Sequence, residues 1–469
     1  MGDLDWVTWA SATEIAAAIK AGSVTSVAVT DHFIDRIERL DTEINAVVVR
    51  DFDNARAAAA AADAAAARGE DLGPLHGVPM TVKEAYDAAG TPTTWGIPSL
   101  AANTATSDSD AVSRFREAGA HLIGKTNVPI YLADFQSYNE IYGTTNNPWN
   151  VDKIAGGSSG GSAAALAAGF TPIEAGSDIG GSIRNPAHYC GVFGHKPTWG
   201  VVSTRGHALP GDESHPDLAV VGPFARTVDD LELAFDIMAG PEALDAPGWK
   251  LDLPPCPHSD LRDFRVAIWP THDLSPVANE VAARAMDVGA RLESIGATVS
   301  YDARPDIDFE ASFATYMALL NAAMGPELPE GADPTAAPGA PAILHNTWRM
   351  YNNQRIALRN AWRSFFEDWD IVVCPIAAVP AFDHDHSPMA TRTLLVDGEV
   401  RPYFQHLFWA GTITVAGLPS TVFPTGPSDD GLPIGLQAVG AEFGDRTTLQ
   451  FARLLAAEAG GFVAPPGFA

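Results

Sequence analysis

Two serines, each framed by glycines, carry the clearest potential for chemistry in this sequence. Ser158 lies in the run GGSSGGS over residues 156–162, and Ser182 ends the run GSDIGGS over residues 176–182. Glycines permit backbone conformations in which successive N–H groups point the same way and can bind an oxyanion. A serine beside such groups could attack a carbonyl carbon if a base removes its proton. The two runs therefore indicate nucleophilic attack on a carbonyl group.

Three interpretations of these runs compete. The simplest is a glycine-rich turn without chemistry. A phosphate-binding loop fails on spacing, because no Gly-Lys-Ser or Gly-Lys-Thr closes either run. A nucleophile elbow fits G-x-S-x-G at residues 156–160, but an elbow follows a buried strand, and residues 150–154 are polar and predicted to form a loop. His188, His195 and Lys196 lie close in sequence as candidate bases, and the sequence does not choose among them.

The two runs belong to a longer series of motifs that resembles the amidase signature enzymes. In that family a GGSSGGS run is followed, after a helix of small residues, by G-(S/T)-D-x-G-G-S-(I/V)-R-x-P-A, which this chain matches through Ala187. Further hallmarks are GPLHGVPMTVKE, TNVP, NEIYGTTNNPWN, GHKPT and VGPFAR, beginning at residues 73, 126, 139, 194 and 221. The similarity spans most of the chain, and several long motifs in the right order argue against chance agreement.

The resemblance implies a fold and a set of roles. The fold is α/β, a single large domain with a mixed central β-sheet covered by helices. Lys83 is implied to be the base, Ser158 the bridging serine after a cis peptide bond, and Ser182 the nucleophile. The other implied site residues are oxyanion-hole N–H groups at Ile179, Gly180, Gly181 and Ser182, and supporting side chains at Ser159, Ser177, Asp178 and Arg184. No metal ion or organic cofactor is implied.

A lysine can act as this base only when it is neutral. Its reference pKa is about 10.4, so half-neutralising Lys83 near pH 7 requires about 4–5 kcal/mol of desolvation and positive surroundings. Residues 80–82 predict a short buried strand that leads into Lys83 and could supply the desolvation. The neutral amine would draw a proton from Ser182 through Ser158, and water would hydrolyse the resulting acyl-enzyme.

The substrate pocket is predicted from one segment and four aromatic residues. The segment resembles the family stretch that lines the acyl side of the pocket, and its residues are Leu132, Ala133, Asp134, Phe135 and Gln136. The aromatic residues could form the other wall or belong to the core: Tyr316, Trp348, Tyr351 and Trp409. An apolar, aromatic pocket suits an uncharged aryl or alkyl amide better than a charged amino acid. Because the acyl-enzyme step is shared, the chain could also cleave an ester or a carbamate.

Three other functions stay open. One branch of the family is the glutaminase subunit of a tRNA-dependent amidotransferase complex, although residues 202–212 depart from the pattern expected for that subunit. An esterase or urethanase with only incidental amidase activity is the second. A non-catalytic binding protein on the same fold is the third, and it is disfavoured because all three catalytic positions carry the required residues.

The elements that must position these residues follow an alternating pattern. Residues 1–70 predict a helical segment that packs on the α/β domain formed by residues 71–469. Thr25 or Ser26 can cap a helix that runs through Leu40. The other predicted elements are an alanine-rich helix ending at residue 69, helices at 110–118, 163–168 and 227–239, and strands at 121–124, 171–175, 266–269, 371–374 and 436–439. Such alternation is typical of an α/β fold.

Two stretches rich in proline and glycine predict irregular loops. They cover residues 239–257 and 325–341. Long loops of this composition are often lids or binding loops, and a tolerated surface loop is the alternative.

Charge excludes two classes of partner. The chain has 29 Lys and Arg against 58 Asp and Glu, a formal net charge of −29. Nucleic acids and anionic membranes attract clustered basic residues, and the sequence has no basic run, so we predict neither partner. A small-molecule amide is the predicted partner, and the resemblance adds the expectation of a homodimer.

Cysteine use and the N-terminal residues bear on the compartment. Cys190, Cys256 and Cys374 are far apart, which argues against a disulfide framework and a thiolate metal site. We interpret Cys190 as a small core residue. The first residues lack the pattern of a signal peptide, and no apolar run reaches the length of a membrane span. These features predict a cytoplasmic protein.

Overall fold

Helices and strands alternate along residues 4–70, 73–325 and 343–468, the parts of the chain that the computed structural model describes. The helices are α1 (Asp5–Trp9), α2 (Ala12–Lys20), α3 (Ser26–Ile44), α4 (Phe52–Ala67), α5 (Asp110–Glu117), α6 (Gly160–Ala167), α7 (Arg184–Cys190), α8 (Val228–Met238), α9 (Asn279–Ile295), α10 (Phe309–Ala323), α11 (His345–Asp368), α12 (Leu407–Thr414) and α13 (Asp445–Ala459). The strands are β1 (Val47–Arg50), β2 (Pro79–Lys83), β3 (His121–Thr126), β4 (Tyr138–Asn139), β5 (Gly143–Thr144), β6 (Asn146–Asn147), β7 (Asn150–Ile154), β8 (Ile173–Asp178), β9 (Phe193–Lys196), β10 (Val220–Ala225), β11 (Arg265–Ile268), β12 (Thr298–Ser300), β13 (Ile371–Cys374), β14 (Thr393–Val396), β15 (Glu399–Pro402), β16 (Ser420–Pro427) and β17 (Pro433–Val439).

The largest sheet has eight strands in the order β12-β11-β13-β17-β16-β9-β10-β8. Strand β11 is parallel to β12 and β13, and the neighbours from β13 to β8 are antiparallel. Most of its strands are buried along their whole length, because helices cover both faces. This mixed sheet confirms the predicted α/β class and the single large domain.

A second sheet, with the order β1-β3-β2, carries the predicted base. Strand β2 is fully buried, runs parallel to β3 and ends at Lys83. Strand β1 pairs with β3 and lies within residues 1–70, so the segment predicted to be helical also contains one short strand. With four residues it is too short to show a period, and its pairing partner lies far along the chain.

The N-terminal helices follow the sequence signals that predicted them. Thr25 caps α3, since its hydroxyl accepts a hydrogen bond from the main-chain N–H of Ala28. The helix continues past the predicted end at Leu40 to Ile44, where Asn45 adopts a left-handed conformation and stops it. Its apolar face packs into the same hydrophobic core as the strands that hold the site.

Three stretches predicted to be irregular have different outcomes. Residues 150–154 form β7, which pairs with β6 in a two-stranded ribbon, so the predicted loop was wrong. The ribbon is exposed along most of β7, and such a strand shows no apolar alternation in its sequence. Residues 239–257 contain no helix or strand, as predicted. The stretch at residues 325–341, interpreted as either a lid or a surface loop, lies outside the described residues except for Gly325.

Helix α6 runs through the middle of the molecule between the two sheets. All eight of its residues are buried. A Cβ on Gly161 would collide with the main chain of Asn127, so only glycine permits this approach of helix and loop. In the described ranges, none of the helices is both long and apolar enough to cross a membrane.

Candidate active site

Lys83 ends β2 inside the protein, where three serine hydroxyls surround its amine. Its side chain is completely buried. The Nζ atom lies 2.6 Å from Ser158 Oγ, 2.9 Å from Ser177 Oγ and 3.0 Å from Ser159 Oγ. Ser177 belongs to β8, and Ser158 and Ser159 precede α6, so three separate elements meet at the amine.

Burial sets the protonation of this lysine. Desolvation lowers the pKa of Lys83 to about 7, against the opposing charges of Asp178 and Glu174. A neutral amine has two N–H donors and one lone pair. Because its three contacts are all hydroxyls, a neutral Lys83 must accept a hydrogen bond from one of them. The Ser158 hydroxyl makes the shortest contact and is the natural donor.

The two glycine-serine loops are held together by one asparagine and one main-chain hydrogen bond. The side chain of Asn185 accepts from Gly157 N–H at 3.1 Å and donates to the carbonyls of Gly157 and Gly181 at 2.6 and 2.8 Å. Ser159 N–H donates to the carbonyl of Ser182 at 3.3 Å. The peptide bond between Gly157 and Ser158 is cis. Ser158 and Ser182 therefore lie on adjoining loops, although the sequence separates them.

The two candidate serines differ in accessibility. Ser182 is 8% exposed and Ser158 is 1% exposed, while Lys83 is fully buried. Ser182 is therefore the more accessible of the two serines, and Ser158 is the one that contacts the amine. An exposed nucleophile and a buried base would differ in accessibility in this way.

Asp178 and Arg184 form a buried ion pair beneath Ser182. Two atoms of the Arg184 guanidinium donate to the Asp178 carboxylate at 2.9 and 3.0 Å, and the main-chain N–H groups of Gly181 and Ile183 donate to it at 2.9 and 3.1 Å. Arg184 offsets the burial of Asp178 and holds its pKa at about 2. The carboxylate thus fixes the turn that carries Ser182.

The predicted oxyanion donors fall into two groups. The N–H of Gly181 donates to Asp178, so an acceptor within the protein already occupies it. The N–H groups of Ile179, Gly180 and Ser182 have no acceptor within residues 4–70, 73–325 and 343–468. Three of the four predicted donors are therefore available to a ligand.

The segment predicted to bind substrate packs against the loop of Ser158. A Cβ on Gly157 would collide with the main chain of Asp134, so the two loops are in close contact. The Asp134 side chain pairs with Arg392 at 2.6 Å and accepts from Tyr403 at 2.8 Å. Gln136 is buried and exchanges two hydrogen bonds with the main chain of Asp385. Both polar side chains thus anchor residues 385–403.

The apolar residues of that segment differ in exposure. Phe135 is buried against Tyr403 and His406. Leu132 and Ala133 are partly exposed, and Leu132 has a positive φ of 56°. Among the apolar residues of the segment, these two are the ones that a ligand could contact.

The four aromatic candidates occupy different places. Tyr316 is buried beside the predicted oxyanion loop, and its hydroxyl donates to the carbonyl of Ile179 at 3.0 Å. Trp409 is buried with its indole N–H donated to Ser275, so it belongs to the core. Trp348 and Tyr351 lie on α11 and pack, partly buried, against the aromatic core.

The bases suggested by sequence proximity hydrogen-bond to groups other than the two serines. His188 hydrogen-bonds the carbonyls of Gly435 and Val379, and His195 pairs with Asp445 at 3.2 Å. The Lys196 amine donates to the carbonyls of Pro197 and Leu418. Each of the three side chains bonds to groups of the surrounding fold and to neither serine, which argues against a histidine base for the G-x-S-x-G pattern.

Two residues that matter for the site were missed by sequence reasoning. Asn185 joins the two serine loops, and nothing in its sequence position predicts that contact. Glu174 is fully buried in β8 and accepts from Thr81 and Thr126, which joins the two sheets beside Lys83. Burial raises the pKa of Glu174 to about 8. The sequence feature that could have pointed to Glu174 is a carboxylate within an otherwise apolar strand pattern.

The comparisons with known proteins agree on one family. The sequence profile of the amidase family matches residues 28–329 and 334–449. Over 95% of both chains, the sequence is 34% identical to the putative amidase AmiB2 of Mycobacterium tuberculosis. It is 32% identical to an acylamidase of Rhodococcus erythropolis, over 95% of this chain and 94% of that one. It is 31% identical to a glutamyl-tRNA(Gln) amidotransferase subunit of Moorella thermoacetica, over 94% of this chain and 95% of that one.

A solved structure shows the same fold. A bacterial aryl acylamidase of the amidase signature family superposes with a TM-score of 0.82 at 26% identity and covers 97% of each chain.

Proposed function

The chain belongs to the amidase family, whose enzymes hydrolyse amide bonds, and we propose that its substrate is an uncharged aryl or alkyl carboxamide that acylates Ser182. The observation that carries this proposal is the completely buried Lys83 amine, with three hydroxyls as its hydrogen-bond partners. A buried lysine without a carboxylate partner is poised to be neutral, and a neutral lysine is a base.

Acylation begins with two proton transfers. The lone pair of Lys83 takes the Ser158 proton, and Ser158 takes the proton of Ser182 as Ser182 Oγ attacks the carbonyl carbon. The carbonyl oxygen becomes an oxyanion, which the N–H groups of Ile179, Gly180 and Ser182 stabilise. The same relay then returns a proton to the amide nitrogen, so that the carbon–nitrogen bond breaks and the amine leaves.

Deacylation repeats these steps with water. The relay removes a proton from a water molecule that attacks the acyl carbon, and it returns a proton to Ser182 as the acid leaves. Ser159 and Ser177 keep the lysine in place through both half-reactions, because each hydrogen-bonds to its Nζ atom. The ion pair of Asp178 and Arg184 keeps the Ser182 turn rigid.

The charges around the site favour an uncharged substrate. Asp178 is paired with Arg184, and Asp134 with Arg392, so both acids and both guanidinium groups already have partners. A free amino acid would bring an ammonium and a carboxylate, each needing an unpaired opposite charge. The partly exposed Leu132 and Ala133 instead suit an apolar group.

The glutaminase alternative rests on the similarity to an amidotransferase subunit. Testing glutamine as a substrate, alone and after addition of the other subunits of such a complex, distinguishes this alternative from the carboxamide proposal. Glutamine hydrolysis that requires those subunits would replace the carboxamide proposal.

The main test is a panel of substrates with wild-type protein and the variants Lys83→Ala, Ser158→Ala and Ser182→Ala. The panel contains a p-nitroanilide, a primary aryl amide, a p-nitrophenyl ester, an aryl carbamate and glutamine. Each variant is expected to lose amide hydrolysis by about a thousandfold or more, because the three residues act as a unit. The ratio of amide to ester and carbamate turnover identifies the preferred bond.

Ser162→Ala is the matched control. Ser162 is a buried serine of the same GGSSGGS run, and its hydroxyl lies 2.9 Å from Thr126 Oγ1. The control should keep most of its activity. Full activity of Lys83→Ala, in protein with an unchanged melting temperature, would refute the relay.

A further inference from the structure

Two side chains beside the lysine end of the site hold ring nitrogens without a partner. They are Trp95 Nε1 and His207 Nε2, which are buried and have no hydrogen bond within residues 4–70, 73–325 and 343–468. His207 is 6% exposed. Buried polar atoms almost always have a partner, so a pair of unpartnered nitrogens in one place calls for an explanation.

The two rings are neighbours. The ring centroids of Trp95 and His207 are 5.3 Å apart, and the ring of Tyr86 packs edge-on against His207 at 4.8 Å. Two hydrogen bonds to one shared oxygen span at most about 6 Å. The two rings are in contact at this separation, so an oxygen shared by both nitrogens would lie at the edge of the rings rather than between them.

Main-chain hydrogen bonds tie both rings to the loop that follows Lys83. The N–H of Trp95 donates to the carboxylate of Glu84 at 3.0 Å. The carbonyl of Gly206, next to His207, accepts from Asp87 N–H at 2.8 Å. Both rings are thus anchored within four residues of the catalytic base.

Two further contacts connect the rings to the rest of the site. Tyr86 donates its hydroxyl to the carbonyl of Gly176, which packs against Ser159. The carbonyl of Trp95 accepts from Tyr131 N–H at 2.9 Å, next to Leu132. The pair is therefore connected by short contacts to the loop of the serines and to the segment predicted to bind substrate.

The charge of His207 limits what the pair could bind. Burial and the nearby Lys83 lower the pKa of His207 to about 3, so the imidazole is neutral at neutral pH. A neutral ring nitrogen is either a donor or an acceptor, depending on the tautomer, whereas the indole N–H of Trp95 only donates. A hydroxyl oxygen accepts from Trp95 and either donates to or accepts from His207, so it suits both tautomers.

We infer that Trp95 and His207 form a specificity subsite that binds a hydroxyl group of the substrate. The inference rests on the proposed function, since it places this hydroxyl on the carboxamide that Ser182 cleaves. The aromatic rings around the pair favour a hydroxyl carried by an aromatic ring, that is, a phenolic amide.

The test measures binding separately from turnover. The ligands are benzamide, acetanilide and the 3-hydroxy and 4-hydroxy derivative of each, so that the hydroxyl is offered on the acyl side and on the amine side. Dissociation constants are measured by calorimetry with Ser182→Ala protein, which cannot form the acyl-enzyme. The ratio kcat/KM is measured with the wild-type chain.

At least one phenol should bind about 10-fold to 100-fold more tightly than its parent, because a site built for a hydroxyl rejects the analogue that lacks it. Adding His207→Leu or Trp95→Phe to the Ser182→Ala protein should reduce this preference to about threefold or less, since each removes one hydrogen bond. The affinity for the parent compounds should change little.

Two variants provide matched controls. Trp362 lies in α11, and its indole nitrogen is also buried without a partner, so Trp362→Phe removes the same group elsewhere. His121 is buried in β3 and bonds Thr30, so His121→Leu removes a histidine away from the rings. Both should keep the preference for the phenol.

The outcomes separate this inference from the proposed function. A phenol preference in binding without any amide turnover supports the subsite and contradicts the proposed function. Turnover with no preference for any phenol overturns the subsite alone. A preference that survives both ring substitutions also overturns the subsite. A change of melting temperature without a change of preference overturns it too, because the nitrogens would then bind a structural water.

Discussion

Lys83 and Lys196 are both completely buried lysines with a pKa lowered to about 7, yet their partners differ. Lys83 contacts hydroxyls that can exchange protons, whereas Lys196 donates to two main-chain carbonyls. A lowered pKa therefore does not by itself identify the base.

We expect Lys83→Met to abolish amide hydrolysis. Lys196→Met should keep activity but lose about 1–3 kcal/mol of stability, because two buried carbonyls lose their donor. Rates and urea unfolding of both variants check this.

The protonation of Lys83 predicts the acid limb of the pH profile. The folded pKa is about 7, well below its ordinary value, so the amine becomes protonated as the pH falls below 7. We expect kcat/KM to fall about tenfold per pH unit below that point, because only the neutral lysine accepts a proton. A profile of an uncharged anilide from pH 5 to 9 measures it. An acid limb centred near pH 4 would instead indicate a carboxylate base.

The ion pair under Ser182 is expected to dominate stability among the ion pairs. Asp178→Asn leaves the buried Arg184 guanidinium without its counter-charge, which should cost about 3–5 kcal/mol. Asp383 pairs with Lys153 at 2.8 Å but is 80% exposed, so Asp383→Asn should cost less than about 1 kcal/mol. Equilibrium unfolding in urea compares the two. Equal losses would contradict the role given to the buried pair.

The candidate site residues named from the sequence belong to continuous motifs, whereas residues that act through contacts were missed. Lys83, Ser158 and Ser182 stand in long runs whose order is itself informative. Asn185 bridges two loops, and Glu174 joins two sheets, and neither role can be derived without knowing which segments meet. Gly181 N–H was grouped with the oxyanion donors because spacing cannot reveal that Asp178 already holds it.

At the level of elements, α6 depends on its glycines. We expect Gly161→Ala to destabilise the protein by about 1–3 kcal/mol, because the added Cβ meets the main chain of Asn127, which cannot move away as a side chain could. Amide hydrolysis should fall as well, since α6 begins directly after Ser158 and Ser159. Gly467→Ala is the control, because a Cβ there meets nothing within 4 Å. Melting temperatures and rates of both variants measure the effect.

Local signals explain which elements the sequence predicted. Helix α3 has a capping residue and a regular apolar face, and both act within one segment. Strands β1 and β7 were missed because they are short or exposed and exist through pairing with β3 and β6. The division of the strands into two sheets was likewise invisible, because it depends on which buried strands lie side by side.

For the whole molecule, the net charge of −29 predicts how the stability responds to salt. An excess of like charges repels itself in the compact state, and salt screens this repulsion. We expect the melting temperature to rise between 10 mM and 200 mM sodium chloride at pH 7. A falling melting temperature would mean that the surface ion pairs contribute more than the repulsion.

Sedimentation in the same buffers tests the expected homodimer.

The order of the large sheet has a consequence for synthesis on the ribosome. Strands β8 to β10 lie within residues 173–225 and strands β11 to β13 within residues 265–374. Among the described strands, the late hairpin of β16 and β17 alone joins the two groups. Until residues 420–439 have emerged, the nascent chain carries two half-sheets with open edges. Open edges are templates for incorrect pairing. Translation of this chain therefore passes through a long aggregation-prone interval in which chaperones would protect it.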